Sequence, residues 1–200
     1  MIYTSLPEGV ENPVSIMSGT DIIEVTLSKR SPSMPVKIPA DGILKVVRKI
    51  ENPTEPEKVE YLTLAQASVD KKIDKALVIL IPSTKEPKEN LFETKVQDLA
   101  EIKGGNWLFL NTTDLKVGVD MNKTEILVNP GESKIYTPEP SNEWIQMSLR
   151  YSVNEPEKET WKKISSSNVS NYVTRRELCI FTWDPLYKRI SYHGMNLPAM

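Results

Sequence analysis

Lys103 to Pro138 reads KGGNWLFLNTTDLKVGVDMNKTEILVNPGESKIYTP, a series of short apolar runs separated by Gly-Gly, Asn-Thr and Asn-Pro-Gly. Those punctuating residues bend a chain for distinct reasons. Gly supplies positive φ, Pro presets the first turn position, and Asn bonds its own backbone. Runs of four to six residues between such turns predict strands at Asn106 to Asn111, Leu115 to Asp120, Glu125 to Val128 and Lys134 to Thr137.

Outward from this segment the same pattern continues. In Trp144 to Val153, the residues Ile145, Met147, Leu149, Tyr151 and Val153 alternate with Trp144, Gln146, Ser148, Arg150 and Ser152. A period of two puts these sets on opposite faces of a strand, one apolar and one mostly polar. That is the pattern of an antiparallel sheet with one side against a core. Further strands are expected at Asp21 to Ser28, Ile43 to Ile50, Val59 to Val69, Lys75 to Pro82, Glu177 to Trp183 and Lys188 to His193. The continuous apolar run Ala76 to Ile81 has the length and β-branched content of a central strand covered on both faces.

Helix is scarce. In Asn90 to Lys103, Leu91, Phe92, Val96, Leu99 and Ala100 follow a three-to-four spacing and Gly104 stands where a C-terminal cap would, which predicts one short helix. Thr160 to Tyr172 is polar and rich in Ser and Asn, and reads as a long loop. Proline clusters at Asn52-Pro53 with Glu55-Pro56, Glu86-Pro87, Pro138-Glu139-Pro140 and Glu155-Pro156 also read as loops. The expected architecture is therefore all-β, an antiparallel β-sandwich of immunoglobulin-like or jelly-roll-like type with at most one short helix. A single domain over residues 1–200 is the default for an all-β chain of this length, with a subdivision near 83–103 as the alternative.

Composition narrows function by exclusion. The 25 basic and 27 acidic residues give a formal charge of −2, without a block of either sign, so there is little electrostatic footprint for nucleic acid. The doublets Lys71-Lys72, Lys162-Lys163 and Arg175-Arg176 read as solvated strand ends. No apolar run approaches the roughly 20 residues of a membrane-spanning helix. The N-terminus has no charged segment followed by an apolar one, so no intact secretory signal is read there.

Several elements together carry a resemblance: KALVILIP, then GGNWLFLNTT, then LVNPGESKIYTP, with WIQMSLRY and RRELCIFTWD following. The positions are Gly104, Gly105, Trp107, Phe109, Asn111, Thr113, Gly118, Pro130, Gly131 and Glu132. This order resembles a group of uncharacterised, generally exported bacterial all-β proteins, over roughly the C-terminal two-thirds of the chain. The resemblance implies an exported β-sandwich in a periplasmic or secreted setting. It brings no catalytic residue with it. Asn-x-Thr/Ser at Asn111, Asn122 and Asn168 would accept glycans only in a eukaryotic secretory route, which the resemblance argues against.

Chemistry-bearing residues are few. His193 is the one imidazole in the sequence and Cys179 the one thiol, which disfavours a hydrolytic triad, although a Cys179–His193 pair across adjacent strands is conceivable. A blue-copper set built on Cys179, His193 and Met195 lacks its second histidine, a zinc site lacks soft ligands, and no calcium-loop motif is present. The acids Glu55, Glu57, Glu86, Glu89, Glu155 and Glu157 lie in proline-rich loops and read as solvated. No catalytic residue, cofactor or metal is assigned, and the chain is expected not to be an enzyme. Trp144, which opens the polar face, and Trp161, in the polar segment, are the candidate contact residues. The expected function is that of an interaction or assembly module in the bacterial envelope, with a protein or envelope polymer as partner. The alternative is a carbohydrate-binding domain that stacks sugars on these tryptophans.

Overall fold

A computed structural model of the chain describes residues 1–51, 59–83, 90–139, 144–155 and 158–197. The proline-rich loops at Asn52 to Pro56 and Glu86-Pro87, with Pro140 and Pro156, lie outside the described residues, as do Glu57, Glu89 and Glu157. The chain forms two compact units, Met1–Glu101 and Ile102–Met200. The break falls within the 83–103 stretch.

The first unit contains β1 (Ile2–Tyr3), β2 (Val14–Ser18), β3 (Asp21–Val25), β4 (Ile43–Glu51), β5 (Val59–Ser68), β6 (Ala76–Pro82) and β7 (Phe92–Asp98), followed by a 3₁₀ turn at Leu99–Glu101. One sheet has the order β3-β2-β4-β5 and the other β1-β6-β7, with β1 parallel to β6. Val14 and Ile16 of β2, Leu44 and Val46 of β4, and Ala65 and Ala67 of β5 pack against Val78 and Leu80 of β6 and Phe92 of β7. The apolar run of β6 is buried on both faces from Leu77 to Leu80, as its composition predicts.

The helix expected over Asn90 to Lys103 is replaced by β7 and the 3₁₀ turn. The physical reason lies in the spacing itself. Phe92 and Val96 stand four residues apart, which places them on one face of a helix and also on one face of a strand. β7 pairs with β6 along its whole length, from Pro82↔Phe92 to Ala76↔Asp98, and this pairing decides between the two.

The second unit contains β8 (Trp107–Asn111), β9 (Val117–Met121), β10 (Thr124–Val128), β11 (Ser133–Tyr136), β12 (Trp144–Glu155), β13 (Lys158–Ser170), β14 (Arg176–Asp184) and β15 (Arg189–Leu197). Its sheets have the orders β10-β9-β12-β13 and β11-β8-β14-β15, the latter with β14 parallel to β8. Their inner faces enclose one core: Val117, Val119, Met121, Met147, Leu149 and Tyr151 from the first sheet meet Trp107, Phe109, Cys179, Phe181 and Ile190 from the second. Phe109 and Phe181 stack with ring centroids 6.4 Å apart. Truncating either to Ala would cost about 3–5 kcal/mol. Both units are thus built as all-β, sandwich-like layers.

The turns of Lys103 to Pro138 follow their residue chemistry. Gly105 and Gly131 take positive φ, 83° and 69°. Gly104 does a different job from a helix cap, because a Cβ there would stand 2.4 Å from the Val173 carbonyl oxygen. Asn111 is fully buried and saturated: its Nδ2 donates to the Leu115 and Val128 carbonyls at 2.7 and 3.1 Å, and its Oδ1 accepts from the Thr113 amide and hydroxyl at 3.0 and 2.8 Å. One side chain therefore ties the end of β8 to the loop before β9 and to the end of β10.

The segment read as a loop over Thr160 to Tyr172 is mostly strand. β13 pairs with β12 from Trp144↔Ser170 to Glu155↔Lys158, with a register shift between Leu149 and Arg150. It lies at a sheet edge and needs few apolar residues, so its polar composition does not mark it as strand.

Candidate functional site

The sheet β10-β9-β12-β13 turns its second face away from the core. Along β12 this face carries Trp144, Gln146, Ser148 and Arg150, the even positions that alternation predicts. The register brings Ser170 beside Trp144, Asn168 beside Gln146, Ser166 beside Ser148, Lys163 beside Arg150 and Trp161 beside Ser152. From β9, Asp120 stands beside Ser148 and Gly118 beside Arg150; from β10, Glu125 stands beside Asp120. The Ser148 and Ser166 hydroxyls are 3.0 Å apart.

Arg150 organises one end of this face. Its Nη1 donates to Asp120 at 2.5 Å and its Nη2 to Glu125, while the guanidinium carbon lies 5.1 Å from the centroid of the Trp161 ring. Gly118 makes room for the arrangement. A Cβ at that position would stand 2.9 Å from Arg150 Nε and 3.2 Å from Trp161 Cζ3. The two carboxylates share one guanidinium, which fixes its orientation and leaves one of their two charges unmatched by it.

Trp161 is therefore on strand β13 rather than in a polar loop, and is 38 % exposed. Trp144, at the start of β12, is 70 % exposed. The two share a face but do not form one pocket. Trp161 pairs with Ser152, eight residues beyond Trp144, a separation of about 26 Å at ~3.3 Å per residue. Between them runs a polar track of Gln146, Asn168, Ser148 and Ser166. Arg150, Asp120, Glu125 and Gly118 are the members that sequence reasoning missed. Arg150 sits in the alternating polar set, but its carboxylate partners come from other strands, and their pairing is invisible in one sequence.

The remaining candidates do not converge. Cys179 faces the core and pairs in register with Gly194, whereas His193 pairs with Ile180 on the opposite face, so the conceivable Cys179–His193 pair does not form. Met195 pairs with Leu178, also on the face away from Cys179. Burial raises the Cys179 thiol far above its ordinary range, so it is not held as a thiolate. His193 stands in mid-strand, not at a strand end. Arg176 corrects the reading of its doublet as solvated, because it is buried and its Nη1 donates to the Ile102 carbonyl at 3.3 Å. Lys162 and Lys163 are exposed, as read, but sit within β13 rather than at a strand end. Among the described residues, no three His, Cys, Asp or Glu side chains group in a way that could hold a metal ion, and no helix is long and apolar enough to cross a membrane.

No protein-family model matches the chain, and no curated protein matches its sequence.

Proposed function

We propose that this protein is a noncatalytic, exported interaction module of the bacterial envelope, and that it engages its partner through the outer face of β10-β9-β12-β13. One observation carries the reading: two exposed tryptophans are presented on the same sheet face, at opposite ends of a polar track. Large rigid rings give contact area at low conformational cost. Strand-borne side chains are also held more precisely than loop-borne ones. The partner is a protein or an envelope polymer.

A glycan is the second reading, and the track itself favours it. Ser148, Ser166, Gln146 and Asn168 offer alternating donors and acceptors, and the Arg150–carboxylate cluster adds fixed ones, a set that matches hydroxyl groups. A glycan array probed with the parent, Trp144→Ala and Trp161→Ala proteins separates the two. Glycan binding that each substitution weakens supports the polymer; no glycan bound removes it and leaves the protein partner.

A further inference from the structure

The connection between β14 and β15 is Pro185-Leu186-Tyr187-Lys188, closed by the pair Asp184↔Arg189. It is a braced turn. Asp184 Oδ1 accepts from the amides of Leu186 and Tyr187 at 3.0 and 3.2 Å, Pro185 presets the first turn position, and Lys188 takes φ 48°. On this frame Leu186 is 79 % exposed, Tyr187 64 % and Trp183 49 %. Two other turns of the unit carry polar residues, Asn122-Lys123 between β9 and β10 and Asn129-Pro130-Gly131-Glu132 before β11, and the turn between β13 and β14 exposes Tyr172 and Val173 less fully than the tip exposes Leu186 and Tyr187. The Asx-braced turn makes no use of the Leu186 and Tyr187 side chains, which contribute nothing to the core. Three large apolar or aromatic side chains on one tip call for a partner.

The charges around the tip indicate which. Lys188 and Arg189 are both exposed, and the Arg189 guanidinium lies 5.2 Å from the centroid of the Tyr187 ring. The Asp184 carboxylate is turned back onto the turn amides. The most exposed of the three side chains is thus aliphatic, the other two are amphipathic rings, and cations flank them. This is the order a bilayer interface presents in reverse, with acyl boundary, headgroup zone and phosphate layer. We infer that the 183–189 hairpin tip docks on an anionic lipid surface, with Leu186 at the acyl boundary, Tyr187 and Trp183 among headgroups, and Lys188 and Arg189 on phosphates. The site is separate from the outer sheet face and does not depend on the function proposed for it.

Co-sedimentation with lipid vesicles tests this, using phosphatidylcholine alone and phosphatidylcholine mixed with phosphatidylglycerol. The parent protein should bind the mixed vesicles, and more weakly at high salt. The double variant Leu186→Ser/Tyr187→Ser should bind at least about tenfold less. Lys188→Asn, which tolerates the left-handed backbone, should reduce binding to the anionic vesicles only. Trp144→Ala should leave it unchanged. Circular dichroism confirms that each variant folds, since the altered side chains lie outside the core. Absence of binding to the mixed vesicles overturns the inference, as does binding that the double variant retains. A concentration-dependent dimer that the double variant abolishes, without vesicle binding, would assign the tip to a second copy and equally overturn it.

Discussion

Arg150 lies over the Trp161 ring while its two terminal nitrogens hold Asp120 and Glu125, and Arg150 and Trp161 occupy the space left by Gly118. Exposed ion pairs and cation–π contacts each contribute about 1 kcal/mol or less. The cluster therefore orients groups more than it stabilises the sheet. Gly118→Ala should displace the Arg150 stem and the Trp161 ring, which are flexible enough to move, and change stability by no more than about 1 kcal/mol. The near-ultraviolet circular dichroism should change, and partner binding should fall. A large loss of stability would show that the packing over Gly118 is rigid and structural.

Asn111 makes the opposite case. Its side chain satisfies two carbonyls and accepts from the amide and hydroxyl of Thr113, all in a buried setting. Asn111→Ala leaves these groups without their partner, at about 1–3 kcal/mol for each group that water cannot reach. Urea unfolding should show a loss of about 2–4 kcal/mol. A loss under about 1 kcal/mol would mean that the loop between β8 and β9 does not need this tie.

Glu177 gives a pH test. Burial raises its carboxyl above the ordinary range, with Arg175 pulling the other way. A raised pKa in the fold means that the protonated form is favoured there. The stability it contributes is complete below the unfolded-state value and lost as pH rises through the folded one. Glu177→Gln should therefore be more stable than the parent at about pH 7, with the gap closing toward about pH 4. Denaturant titrations at both pH values read this directly; a gap that widens on acidification contradicts it.

Much of the fold is legible in the sequence because the relevant residues act locally. Alternation in Trp144 to Val153 marks both faces of β12, and Gly104-Gly105 and Asn129-Pro130-Gly131 mark turns. Other elements depend on partners that the sequence does not display. β13 is a polar edge strand whose register shifts opposite Leu149 and Arg150, so its period is broken. Phe92 and Val96 fit two periods, and only pairing with β6 selects the strand. β2 is five residues long, with just Val14 and Ile16 facing the core. The candidate site was legible as far as Trp144 and its alternating neighbours. Asp120, Glu125 and Gly118 join it through strand order, and Arg176 is buried although its doublet reads as solvated.

The central claim is that both tryptophans serve one binding face. Co-sedimentation with detergent-extracted bacterial envelope, from which lipid has been removed, tests it most directly because the hairpin tip then has no bilayer to meet. The parent protein should co-sediment, and Trp144→Ala and Trp161→Ala should each weaken binding by about tenfold, as expected for interface tryptophans worth more than ~1 kcal/mol. Protease treatment of the envelope then distinguishes a protein partner from a polymer. Binding by the folded double variant Trp144→Ala/Trp161→Ala at parental strength would contradict the account.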